Sequence, residues 1–401
     1  MKSRPSIVVA AVGTATAALA LGWPLLAQQN PASGPVARYD MRAGTVSGMG
    51  AMGGGMGGAM GMMFGGGRSN NVQHELYLRL GSSQAPTKGN AKADHFMPPS
   101  AKLGKSVALV APTRGEREPD ILPEKPKGRL LIFWGCGERA PKGQPVVIDF
   151  AKVAAGQMPA GFPSSAVIRD WGPNAQNSRT FARWPAEDGK FVKADSSLPG
   201  AHRIASNYAP EISFNLTKDF MAPLSVRTGS LPGGATRTNW TAIPGATGYL
   251  VGLFGGKQGP GGNMGDMVMW TSSTGRQFGG GLADWLSPGQ VAGLVKNGTV
   301  LAPTVTSCAI PAEVNAAAAD FKVGTLSAFG PEESFSYPPK PATGPWNLQW
   351  TARVRHRSMT SWMVMPGMGA MGAQGAGQQN PDCNRRGGIM GGILGGGGGG
   401  C

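Results

Sequence analysis

The chain has 401 residues, 65 of them glycine and 20 methionine, with a formal charge of +15. Its charged residues are scattered, with no recognition-helix pattern, zinc-finger spacing or basic–aromatic array, so no nucleic acid is expected as a partner. The excess of positive charge suits anionic envelope components, or another protein, as partner.

The amino terminus reads as an export signal. Lys2 and Arg4 precede a mostly apolar run over residues 7–21, and small residues around Ala27 suit signal-peptidase cleavage. The predicted signal peptide is residues 1–27, and the protein is expected to be periplasmic or secreted. Loss of Lys2 and Arg4 leaves a charge of +13. The apolar run is shorter than the roughly 20 residues of a spanning helix. No later stretch reaches that length without charge or many glycines, so no stable transmembrane span is expected after cleavage.

Residues 28–69 are expected to be a disordered Gly/Met-rich segment, because twelve glycines and six methionines crowd residues 43–67 and ordering glycine is entropically costly. A β-rich domain is expected over 70–220. Residues 75–80 alternate polar and apolar side chains as a half-buried strand does, and further strands are predicted over 106–110, 129–134, 144–150 and 209–216. Residues 171–210 read as long loops with short strands. Trp134, Trp171 and Trp184 in this half are candidate ligand-facing aromatics, since flat rings pack well on sugar rings.

A second domain, a β-sandwich, is expected over 221–365. Residues 236–241 alternate and end near Trp240, and the turn at 243–247 leads into an apolar run from Gly248 through Tyr249 and Val251 to Phe254. This Trp240…Pro-Gly-Ala-Thr-Gly-Tyr249-x-Val251 arrangement resembles the paired central strands of fibronectin type III-like domains. The resemblance covers about 20 residues. It implies that Trp240 fills a sandwich core, and it implies no catalytic residue, since such domains are chiefly binding and spacing modules. The fold class read from the whole chain is therefore mostly β: immunoglobulin/fibronectin-like β-sandwich domains with long loops and flexible Gly/Met-rich segments.

Further strands are predicted over 268–271, 299–308 and 346–355. In the last, Trp346, Leu348, Trp350, Ala352 and Val354 share one face, while Arg353 and Arg355 lie on the other, read as solvated, with binding of an acidic partner as the alternative. Short helices are predicted over 149–155, 287–296 and 311–319, the second with Ser287 as cap and Pro288 at its first position. Residues 366–401, with ten glycines among 387–400, are expected to be a flexible tail.

The chemistry-bearing residues give no compact catalytic signature. His74, His95, His202 and His356 form no HxH, HxxxH or HExxH arrangement, so neither a metal site nor a cofactor is expected. Phosphate-loop and nucleophile-elbow motifs are absent. Cys136, between two glycines, is a candidate nucleophile with His202 as base, but half of a disulfide is the simpler role in an oxidising compartment. Cys136–Cys308 is the preferred bridge, with Cys308–Cys383 the competing pairing and Cys401 able to join two chains. Glu332 and Glu333 beside Pro331 read as loop surface. The clustered methionines offer soft ligands for Cu(I), or flexible apolar contacts. The expected function is that of an exported noncatalytic envelope or surface protein acting by binding or assembly. The alternative is an extracytoplasmic hydrolase of wall or polysaccharide, its site assembled from residues 130–210. Oligomeric state and ligand identity are not legible.

Overall fold

The computed structural model describes residues 34–52, 72–112, 128–157, 172–186, 191–259, 264–277, 281–282, 285–365 and 368–371. The expected signal peptide, most of the methionine run, Trp171, Cys383 and Cys401 lie outside them.

In chain order the first half contributes β1 (Ala37–Gly48), β2 (Val72–Ser82), β3 (Ala93–Phe96), β4 (Val107–Leu109), β5 (Arg129–Trp134), β6 (Val146–Asp149) and the short helix α1 (Phe150–Ala154). There follow β7 (Thr180–Trp184), β8 (Phe191–Val192), β9 (Gly200–Ser206) and β10 (Ile212–Leu216). The second half contributes β11 (Val226–Ser230), β12 (Thr236–Trp240), β13 (Gly248–Gln258), β14 (Met264–Thr271), α2 (Pro288–Lys296), β15 (Ser307–Ile310) and α3 (Ala312–Ala317). It ends with β16 (Phe321–Tyr337), β17 (Trp350–Met365) and β18 (Met368–Met371).

Among the described residues the fold is mostly β, with three sheets. The largest has eleven strands, nine of them in the order β6-β5-β14-β13-β16-β17-β1-β2-β7, with β8 on β2 and β18 on β17. It is mixed, because β1 runs parallel to β17 and β14 parallel to β5 while the other pairs are antiparallel. The two smaller sheets are β10-β9-β3-β4 and β11-β12-β15.

Each small sheet shares a core with one part of the large one. In the first core, Tyr39, Met41, Leu76, Leu78 and Leu80 meet Ile204, Ile212 and Phe214 of the four-stranded sheet. In the second, Trp240 and Ile310 of the three-stranded sheet meet Tyr249, Val251, Trp270 and Leu326. The Trp240 and Tyr249 rings lie 5.6 Å apart, and the Tyr249 hydroxyl accepts a hydrogen bond from the Ile243 amide at 3.0 Å, pinning the intervening turn. Burying side chains of this size contributes about 1.5–3 kcal/mol each.

Four expectations are corrected by the structure. Residues 28–69 are not one disordered segment, since β1 is a buried twelve-residue strand paired on both sides, and hydrogen-bonded ladders on two edges offset its glycine content. The division into domains 70–220 and 221–365 does not follow the packing. Leu131 and Phe133 of β5 belong to the second core, and Trp350, Ala352 and Val354 of β17 belong to the first. Finally, Glu332 and Glu333 lie within the seventeen-residue β16, not in a loop. Of the tail expected over 366–401, Met368–Met371 is strand β18.

The segment joining β10 to β11 crosses the large sheet between the cores and is strapped to it by hydroxyls. Thr45 Oγ1 donates to the Met221 carbonyl at 2.6 Å, Ser47 Oγ to Leu224 at 2.6 Å and Ser358 Oγ to Ala222 at 2.8 Å. Phe220 stacks on His74 at 3.8 Å between centroids. Glu333 accepts from the Thr217 and Lys218 amides and the Thr217 hydroxyl. The buried polar residues of β1 and β17 beyond the first core are therefore the partners of an irregular segment that would otherwise leave its carbonyls unsatisfied.

Cys136 and Cys308 are joined in a disulfide, with their Cα atoms 5.3 Å apart. The bridge does not tie two domains together as its sequence positions suggest. It fastens the residues after β5 to β15, beside the second core, where Gly137 N donates to Ala309 O and the Trp270 indole donates to Gly135 O. With the cysteines 172 positions apart, the chain-entropy model assigns the closure about 5 kcal/mol.

Candidate functional site

The face of the large sheet opposite the first core is built by strand register. Residues directly paired across neighbouring strands share a face. One row runs Ser334 (β16), Arg353 (β17), Asp40 (β1), Arg79 (β2) and Arg183 (β7). The row on one side is Glu332, Arg355, Arg42 and Tyr77, and the row on the other is Ser336, Thr351 and Arg38. A further row brings Arg357, Gly44 and Glu75 side by side. Seven arginines thus share this face with three carboxylates, those of Asp40, Glu75 and Glu332.

Asp40 is the hub. Its carboxylate is 1% exposed and accepts from Arg42 Nε at 2.9 Å, Arg353 Nε at 3.1 Å and Arg355 Nη2 at 2.9 Å to both oxygens. Glu75 accepts from Arg357 at 2.8 and 2.9 Å across β1, which Gly44 permits: a Cβ there would lie 2.4 Å from Glu75 Oε1. Trp285 covers this end. Its carbonyl accepts from Arg355, its ring lies 4.1 Å beneath the Arg357 guanidinium, and Tyr77 meets it edge-on. Arg355 is therefore buried, correcting its expected place on a solvated face.

Beside the hub the same face opens into a cavity of about 350 Å³. Its floor is the two rows Ser334–Arg353–Asp40 and Ser336–Thr351–Arg38, completed by the main chain at Tyr39, Phe335 and Ala352, whose side chains point into the first core. Trp346 forms one wall, its indole N–H fixed on the Pro338 carbonyl at 3.0 Å, and Gly172 and Pro173 form another. Arg38 Nη2 donates to Asn177 O at 2.8 Å, which holds its guanidinium at the rim. The Ser336 and Thr351 hydroxyls make no hydrogen bond among the described residues.

A second polar constellation lies inside the first core. Tyr39 Oη is 2.7 Å from His95 Nδ1, His95 Nε2 is 2.9 Å from His202 Nδ1, and His202 Nε2 is 2.8 Å from Leu198 O. A carbonyl can only accept, so His202 Nε2 carries a proton, His202 Nδ1 accepts from His95 Nε2–H, and His95 Nδ1 accepts from the tyrosine hydroxyl. All ring nitrogens are satisfied in the neutral form. Burial holds His95 well below the ordinary histidine value, with His202 pushing the same way, and burial also lowers His202. Tyr39 is raised by burial, then by Asp40 and Tyr208.

The residues singled out from sequence fall elsewhere. Trp134 packs on the small cluster of Ile132 and Ile148, Trp184 against the first core at the other end of the sheet order, and neither lines the cavity. Cys136 is disulfide-bonded and His202 sits in the other core, so they do not form a nucleophile–base pair. Asp149 caps α1, and Asp219 accepts from the Leu198 amide and the Ser197 hydroxyl. Asp170 lies outside the described residues. Among those residues, no group of three or more His, Cys, Asp or Glu is placed to hold a metal. Met359, Met363 and Met365 belong to β17. Arg353 was placed on an outward strand face from sequence, whereas Arg38 and Asp40 were missed, although Arg38-x-Asp40-x-Arg42 repeats charge at the period of a strand just as Arg353-x-Arg355-x-Arg357 does.

No family model matches the chain, and no curated protein matches it.

Proposed function

We propose that this is an exported, noncatalytic binding protein of the envelope or cell surface, and that its arginine-lined cavity takes an anionic ligand. The observation that carries the reading is the cavity floor, where Arg38 and Arg353 stand on adjacent strands beside a single carboxylate already engaged by three guanidiniums. Asp40 has its oxygens committed to three guanidiniums, so on this face it holds arginines in place, which favours binding over hydrolysis. Arginine forks match carboxylate and phosphate oxygens geometrically, and a site of this size suits a small ligand.

We extend the proposal to fold and location. An immunoglobulin/fibronectin-like sandwich for the second half is supported by the strand order β11-β12-β15 in one layer and β14-β13-β16-β17 in the other, with Trp240 and Tyr249 between them. Export is supported by residues 1–27 and by the disulfide, which persists in oxidising compartments. N-terminal sequencing of the mature protein tests this, with Gln28 the expected first residue and a retained Met1 counting against it.

The test of function is titration of the mature protein with polyglutamate, polyphosphate and heparin, followed by a hydrolase screen. Saturable binding that weakens with salt and in Arg38→Ala, without turnover, is expected. Turnover abolished by replacing one Asp or Glu, with the fold intact, would overturn the reading.

A further inference from the structure

Resting on the anion-binding reading, we infer that the ligand is an acidic saccharide, a uronate-type sugar or a short oligomer of one. Charge alone would suit any anion, and the rest of the cavity narrows the choice. Its floor is a patch of three adjacent strands, β16, β17 and β1, and it presents two different kinds of donor. Arg38 stands at the rim with one nitrogen spent on Asn177 O and further N–H groups left over from the five that a guanidinium carries. Ser336 and Thr351 sit in the same cross-strand row as Arg38, and their hydroxyls have no partner among the described residues. A hydroxyl both donates and accepts, which a phosphate or a simple carboxylate does not require but a sugar hydroxyl does.

The third element is Trp346. Its N–H is committed to the Pro338 carbonyl, so what it offers the cavity is ring carbon. An indole face packs on the axial C–H groups of a pyranose and gives nothing comparable to phosphate or sulfate. The three features are arranged as a uronate is built: a carboxylate for Arg38, with the positive charge of Arg353 beside it, hydroxyls for Ser336 and Thr351, and an apolar ring face for Trp346. The volume of about 350 Å³ falls at the lower end of small-ligand clefts, about 300–1,000 Å³.

The experiment is calorimetric titration of the full mature protein with a trigalacturonate, the matching neutral trigalactose, citrate and inorganic phosphate, on wild type, Arg38→Ala, Trp346→Ala and Trp346→Phe. Circular dichroism confirms that each variant is folded. Trigalacturonate is expected to bind at least tenfold more tightly than the other three. Arg38→Ala and Trp346→Ala are each expected to weaken binding about tenfold, with Trp346→Phe restoring most of the loss. Citrate or phosphate binding as tightly as trigalacturonate, with no effect of Trp346→Ala, overturns the saccharide assignment and leaves anion binding standing. Equal binding of the neutral sugar overturns the need for charge. No binding of these probes or of the polyanions overturns both readings.

Discussion

At the scale of single residues, Asp40 shows how one carboxylate can organise a face. It holds Arg42 and Arg355 in buried positions that neither could occupy alone, because an unpaired buried guanidinium is costly. Asp40→Asn is expected to lower stability by about 3–5 kcal/mol in urea unfolding, whereas Arg38→Ala at the cavity rim should change it by under about 0.5 kcal/mol. The Tyr39–His95–His202 chain leads to a pH prediction. Both histidines have folded values depressed below those of the unfolded chain, so below about pH 6.5 the unfolded state binds more protons. Their contribution to stability is complete above that pH and is lost as pH falls toward the folded values. The thermal midpoint should drop between pH 7.5 and 5, and less steeply in His95→Gln.

At the scale of elements, register decides what touches what. Gly44 stands between Glu75 and Arg357, and its missing side chain is the gap through which the ion pair closes. Gly44→Ala is expected to cost about 3 kcal/mol, because the carboxylate must move off its partner while both stay buried. In a Glu75→Ala background the same substitution should cost far less, and a double-mutant cycle by urea unfolding measures the difference. The strand carrying the cavity's Ser334 and Ser336 was illegible for a reason of the same kind. β16 contains Pro331, which argues against a strand interior, yet the ladder to β17 is irregular between Phe329 and Glu332, and a proline is tolerated at such a bulge. The helix at Ser287 was legible because its signals are local: Ser287 and Gln290 form the reciprocal cap and Val291 is buried, all within one turn.

At the scale of the whole molecule, the two cores are held on one continuous sheet, and β1, β16 and β17 are its spine. The ladder of β1 on β17 joins residues about three hundred positions apart, as with Ala37 and Trp350. A fragment of residues 70–220 therefore lacks β1 and β17, and β2 loses its neighbour on one side. It is expected not to unfold cooperatively, whereas residues 28–371 should, a difference read by thermal melts followed by circular dichroism. Halves that behaved as independent cooperative units would contradict the shared sheet.

The sequence by itself determined what depends on neighbours along the chain. The strands at 129–134 and 236–240, the helix caps and the burial of Trp240 follow from alternation, turn residues and capping chemistry that act over a few positions. The pairing of Cys136 with Cys308 was favoured through the inferred compartment and strand-like surroundings, but which core it closes was not. Tertiary structure alone decided that Ala37–Gly48 is a central strand despite its approach to a glycine run, because two flanking ladders supply what local propensity withholds. It alone also decided where the candidate site lies. The arginine periods of β1 and β17 are visible in the chain, but a period says only that side chains share a face. Whether that face is solvated, buried or hollow depends on which strand lies beside it and what covers it. Here the parallel register of β1 on β17 places Asp40 among three arginines, and Trp285 and Trp346 cover the two ends.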